Sequence, residues 1–215
     1  MSLDTPATIA ILGSGPIGLE AALYARFLGY DVILIDQQGL ADRLSGHDTD
    51  TLDLVLADLT STLGRAALTS HDADWGTDIE SSLESIDSWY SSYVVPLSQT
   101  DLLASLPRLS MSIAAITVTE EGLLLEADGD QQESLNVDAV IDVDGTCVGT
   151  EQVYQLPRVA LDEITAAGLR ESFQAGLSAI RKLFADLGGR QDLDLYDSVG
   201  HLPGVDDSSC SNRNK

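Results

Sequence analysis

Cysteine, histidine and lysine are all scarce in this 215-residue chain. The two cysteines, Cys147 and Cys210, lie far apart and form no metal-type pair, and the three histidines (His47, His71 and His201) are scattered. No metal site is therefore expected, and the cysteine usage suits a reducing, cytoplasmic setting. Long apolar runs are missing too. No stretch approaches the roughly 20 apolar residues of a membrane span, and "MSLDTPATIAILG" lacks the basic start of a signal peptide. Only two lysines occur, Lys182 and Lys215, and eleven basic residues face thirty-five acidic ones, for a formal net charge of −24. Such a chain repels nucleic acid and anionic membrane surfaces. Its acidic, lysine-poor surface fits concentrated salt, which screens self-repulsion. With 44% hydrophobic residues it can still bury a sizeable core. We expect one domain over residues 1–200 and a frayed tail over 201–215, with no internal repeat and no long linker.

Residues 8–12, "TIAIL", are a continuous apolar run closed by glycine, as a buried parallel strand is. From Pro16 to Leu28 the apolar positions fit a helix, with Ile17, Ala21, Tyr24 and Leu28 on one face. Gly29 stops it, and "DVILID" from Asp31 to Asp36 reads as a second buried strand. This is a strand–helix–strand unit of the size a parallel crossover needs. Beyond it the pattern weakens. A helix is expected over roughly 50–63, another from an N-cap at Thr77 or Asp78, and a further helical stretch after Pro96. From Met111 the period becomes two, giving an antiparallel meander over about 112–138. "AVIDVDG" at 139–145 is a candidate third parallel strand. Phe173, Leu177, Ile180, Phe184 and Leu187 then recur at helical spacing before Gly188-Gly189, an amphipathic helix with its C-cap. The expected fold is α/β: a Rossmann-type parallel sheet flanked by helices, with a small antiparallel β-meander and a C-terminal amphipathic helix.

Gly13, Gly15 and Gly18 stand at the 1-3-6 spacing between the first strand and its helix. The first permits a tight turn, the second lets a pyrophosphate approach the backbone, and the third lets helix and strand pack closely. The helix N-terminus offers unpaired N–H groups to phosphate. Asp36, ending the second strand, can accept both ribose hydroxyls of an adenosine, and would repel the 2′-phosphate of NADP. NAD and FAD remain.

"GSGPIGLEAALYARFLGYDVILID" resembles the FAD-binding start of flavoproteins built from two dinucleotide-binding domains, the flavin monooxygenase and thioredoxin reductase relatives. The proline after the second glycine favours FAD over NAD within that family. There a meander precedes a strand ending in an "ATG"-type motif, which "VIDVDGT" resembles, with Asp138 before the strand and Gly145 as the motif glycine. "GH" at 46–47, "LGRAAL" at 63–68 and "VVPLSQTDLL" at 94–103 also resemble segments of bacterial members. The resemblance implies FAD contacts at Gly13, Ser14, Gly15, Pro16, Ile17, Gly18, Asp36 and Gln37, with Ile113 bordering the adenine and Gly145 near the flavin. It implies a flavin-dependent oxidoreductase. No second glycine motif follows Gly149, and Asp144 puts a carboxylate where the motif usually has a small neutral residue. Reductant would then bind directly over the flavin or come from a partner, a separate reductase or a second copy of the chain. The alternative is a non-catalytic FAD- or NAD-binding module that senses or interacts.

Three other features have rival readings. "GTCVG" at 145–149 has the shape of a nucleophile elbow with Cys147 as nucleophile, set against an ordinary small core residue at a strand end. His47 is read as a loop histidine or a proton relay. Trp75, Trp89, Tyr90 and Tyr93 are read as packing residues, and the Phe173–Leu187 stripe as packing on the sheet or, uncovered, as a dimer face.

Overall fold

The computed structural model describes residues 3–36, 52–128, 134–145, 153–159, 165–192 and 194–199. Strand β1 (Thr8–Leu12), helix α1 (Pro16–Phe27) and strand β2 (Asp31–Ile35) form the expected crossover, β1 and β2 pairing in parallel from Thr8 with Asp31 to Leu12 with Ile35. Two further strands join without having been expected, β3 (Arg108–Leu109) and β8 (Val153–Gln155). Between them in sequence run the meander strands β4 (Ile113–Thr119), β5 (Gly122–Ala127) and β6 (Ser134–Val137), then β7 (Ala139–Asp142). The main sheet has the order β3-β2-β1-β7-β8, and every pairing in it is parallel. The meander is a separate antiparallel sheet, β4-β5-β6.

Alternation along the strands sorts their side chains into two cores. Ile9, Ile11, Val32, Leu34, Ala139 and Ile141 join the helical layer, whereas Ala10, Leu12, Ile35 and Val140 meet Leu123, Leu125 and Val137 of the meander. Both faces of the parallel sheet are thus covered, which explains why its strands read as unbroken apolar runs. The layers are meander, sheet and helices.

The long helix here called α6 (Ala166–Gly188) is capped by Thr165, whose Oγ1 accepts from Gly168 N at 3.2 Å, and ends at Gly189. Phe173 and Ile180 are fully buried and Phe184 nearly so. Tyr24 of α1 stacks on Phe184 with ring centroids 5.2 Å apart, and Trp89 meets Phe173 edge-on at 5.5 Å. The stripe is therefore covered within the chain, by α1 and by the region around Trp89. Burying each such side chain stabilises the fold by roughly 1.5–3 kcal/mol.

The middle of the chain departs from expectation. Instead of a helix over 50–63, a 3-10 turn (Leu56–Leu59) precedes α2 (Thr62–His71), because Ser61 supplies the N-cap, its Oγ accepting from Gly64 N at 2.7 Å. The next helix starts not at Thr77 or Asp78 but after Ser85, which forms a reciprocal cap with Ser88. That helix, α3 (Ile86–Trp89), widens into a π turn (Tyr90–Val94) and continues as α4 (Val95–Gln99), with α5 (Asp101–Ala104) behind it. Pro96 explains the widening: it has no N–H for the Ser92 carbonyl, which instead accepts from Trp75 Nε1 at 3.1 Å. Trp89 Nε1 donates to Leu59 O at 2.8 Å. Both tryptophans tie helices to loops.

Candidate functional site: the glycine loop and the buried carboxylates around it

The chain leaves β1 at Gly13, whose φ of +105° strains any residue with a side chain. Its N–H donates to Ile35 O at 2.8 Å, so the turn is pinned to the end of β2. A Cβ at Gly18 would stand 1.9 Å from Gly13 O, a contact no other residue could make without moving the helix. This is the close helix–strand approach that the third glycine of the motif supplies. Gly15 is the N-cap of α1, followed by Pro16, and offers no side chain to the first-turn N–H groups. Those donors and the helix dipole face the loop.

Asp36 follows β2 and is buried against this loop. Its Oδ2 accepts from Ser14 N at 2.8 Å and from Ser14 Oγ, and its own N–H donates to Leu109 O at 3.0 Å. The short strand β3 therefore positions the carboxylate at the end of β2. Ile17 is buried in α1, its Cδ1 lying 2.2 Å from where a Cβ on Gly176 of α6 would be. Ile113 opens β4 and packs against the core between sheet and meander, to which Ala10, Leu12 and Ile35 belong. Gln37, His47 and Cys147 lie outside the described residues.

The end of β7 brings two more carboxylates. Asp142 is completely buried; Oδ1 accepts from Gly145 N at 2.9 Å and Oδ2 from Gln155 Nε2 at 3.1 Å. It builds the turn that ends at the exposed Gly145 and ties β7 to β8. Asp144, half-buried, places its carboxyl carbon 2.7 Å from where a Cβ on Gly13 would be. Asp138 reaches back to accept from Thr8 N at 2.7 Å, joining the end of the meander to the start of β1. The signal for Asp142 was present in the sequence, a lone acid closing an apolar run, but its role needs the β8 partner.

Sequence reasoning passed over Glu20. Two residues after Gly18 in α1, its side chain is sealed from solvent on the helical side of the molecule. Tyr93 Oη, delivered by the π turn, donates to Glu20 Oε1, and Tyr196 Oη of α7 (Leu195–Val199) donates to Oε2 at 3.5 Å. Ser61 N donates in turn to Tyr93 Oη at 3.1 Å. Burial pushes the Glu20 carboxyl up to about 7, against the opposing pull of the Tyr93, Ser61 and Tyr196 hydrogen bonds. Burial, and then the neighbouring Glu20, hold the Tyr93 phenol well above its ordinary range. The clue in the sequence was that α1 is apolar on every side of this glutamate.

No protein-family model matches the chain, and no curated protein matches it. Among solved structures it is similar to bacillithiol disulfide reductase Bdr (YpdA) from Staphylococcus aureus, at 14% identity and a TM-score of 0.47, over 67% of this chain and 39% of that one. It is similar to the tetracycline destructase Tet(51), at 17% identity and a TM-score of 0.45, over 66% and 40%. A third is CtdE, solved in complex with FAD, at 16% identity and a TM-score of 0.44, over 66% and 39%. The chain thus spans about two fifths of the length of these structures.

Proposed function

We propose that this chain binds FAD by its adenosine and pyrophosphate half and works as a flavoprotein of the oxidoreductase type. One observation carries the reading: the Gly13–Gly18 loop, whose α1 N-cap has no side chain, lies hydrogen-bonded against a buried carboxylate at the end of β2. The residues fit the group. The first-turn N–H groups of α1 would hold the pyrophosphate, and Asp36 would accept from the adenosine ribose. Ser14 holds Asp36 in place, and Gly145 lies at the exposed end of β7. When bound, the flavin supplies the electron-transfer chemistry, and the protein supplies binding and electrostatics. Reducing equivalents come from a donor bound directly over the flavin or from a partner, a reductase or a second copy.

The visible spectrum of the purified protein, with and without added FAD, tests this. A yellow protein, or one that acquires flavin absorbance stoichiometrically, is expected. A colourless protein that ignores FAD but is thermally stabilised by NAD would replace FAD with NAD. Gly15→Val should remove binding of either by blocking backbone approach to the phosphates, and unchanged binding would overturn the site itself.

A further inference from the structure

A second cleft, of about 460 Å³, opens on the helical side between the start of α2, the middle of α6 and α7. Its character differs from the rest of the molecule. Acidic residues make up 35 of the chain's 215, yet none of the residues lining this cleft is acidic. Two of the chain's eleven lysines and arginines, Arg65 and Arg181, do line it. Between them stand hydroxyl and amide groups, among them Thr60, Thr62, Ser178 and Gln174. A groove of similar volume under the 74–96 region shows the contrast, for it is lined by Asp74, Asp78 and Glu84 and by no cation.

Arg181 is braced by Asp194, with Nη1 to Oδ2 at 2.8 Å, which fixes one edge of the guanidinium and leaves its other donors. Arg65 has no carboxylate partner among the described residues. Arg65 is half-buried in the wall of the cleft, where its guanidinium donors are not taken up by an acid and are open to an incoming anion. The floor is firm: Thr62 Oγ1 donates to Tyr196 O, and Ser61 and Tyr196 belong to the Glu20 network beneath.

We propose that this cleft binds a small oxyanion, a carboxylate or phosphoryl group on a polar molecule, clamped between Arg65 and Arg181. A guanidinium fork matches either oxyanion through paired N–H donors, and the hydroxyls complete the shell. The site is separate from the glycine loop and stands whether or not that loop holds FAD.

Sulfate and malonate, titrated against chloride at matched ionic strength, test the idea by thermal unfolding and calorimetry, and they separate tetrahedral from planar oxyanions. At least one should give a saturable response beyond chloride. Arg65→Ala should weaken it at least about tenfold, and Arg181→Ala likewise, with unchanged circular dichroism. Gly15→Val should leave it intact, since the loop is elsewhere. Should Gly15→Val not fold, nucleotide titration of Arg65→Ala serves instead, and it should match that of the wild type. Absence of a saturable response, or equal responses in the wild type and Arg65→Ala, would overturn the proposal. So would loss of the response with Gly15→Val, or loss of nucleotide binding in Arg65→Ala, either of which would assign the anion to the glycine loop.

Discussion

Helix α1 carries two buried acidic neighbourhoods, and they are built by opposite means. At its N-terminal end, Asp36 meets the backbone N–H and the hydroxyl of Ser14 beside a helix dipole. One turn on, Glu20 meets only phenol and hydroxyl groups brought in from the π turn and α7, with apolar packing around them. Donors of fixed backbone geometry hold the first carboxylate beside the glycine loop, at the edge of the proposed nucleotide site. Side-chain donors in a sealed interior make the second a place where the proton is retained. Identical chemistry, a carboxylate, is thus set to different tasks by what surrounds it.

The comparison can be broken most severely at the backbone. Gly18→Ala puts a Cβ into the Gly13 carbonyl, and we expect a loss of about 3 kcal/mol or more together with loss of nucleotide binding. Denaturant unfolding and FAD titration check this; a stable, binding-competent variant would mean that the loop is looser than described.

Glu20→Gln sharpens the other side. Because the folded-state value is raised from 4.5 to about 7, the folded protein holds more protons than the unfolded chain between those pH values. The stability this group contributes is therefore full below 4.5 and falls as pH rises towards 7, by on the order of 3 kcal/mol. Glu20→Gln cannot titrate, so its stability relative to wild type should improve by that order between pH 4.5 and 8 at constant salt. Parallel pH–stability curves for the two proteins would refute the shift.

The smallest expected effect is at Ser61, which caps α2 and also donates its N–H to Tyr93. Ser61→Ala removes the cap to Gly64 N and should cost about 1 kcal/mol by denaturant unfolding, with little effect on FAD binding. A larger effect on binding than on stability would show that the two neighbourhoods are coupled through α1.

Much of the glycine loop was legible in the residues because each part of it obeys a local rule. An apolar run, glycines at fixed spacing and an acid at the end of the next strand need no distant partner to be recognised. The stripe of α6 was legible for the same reason, by period alone. The 52–104 region was not, since its helices are short and their starts depend on which serine finds an N–H to cap. Strands β3 and β8 escaped because two or three residues carry no period; they are strands only by lying beside β2 and β7.

What the sequence determined by itself was the strand–helix–strand unit, the meander and the long amphipathic helix, through patterns of 2 and 3.6 residues and through the steric freedom of glycine. Tertiary structure alone decided which acids face the glycine loop, a turn or the core. Asp142 acquires its turn from Gln155, Glu20 its burial from Tyr93 and Tyr196, and Arg65 its acid-free cleft from α6. A charge's behaviour is set by its surroundings, and those surroundings come from residues up to 176 positions away in the chain.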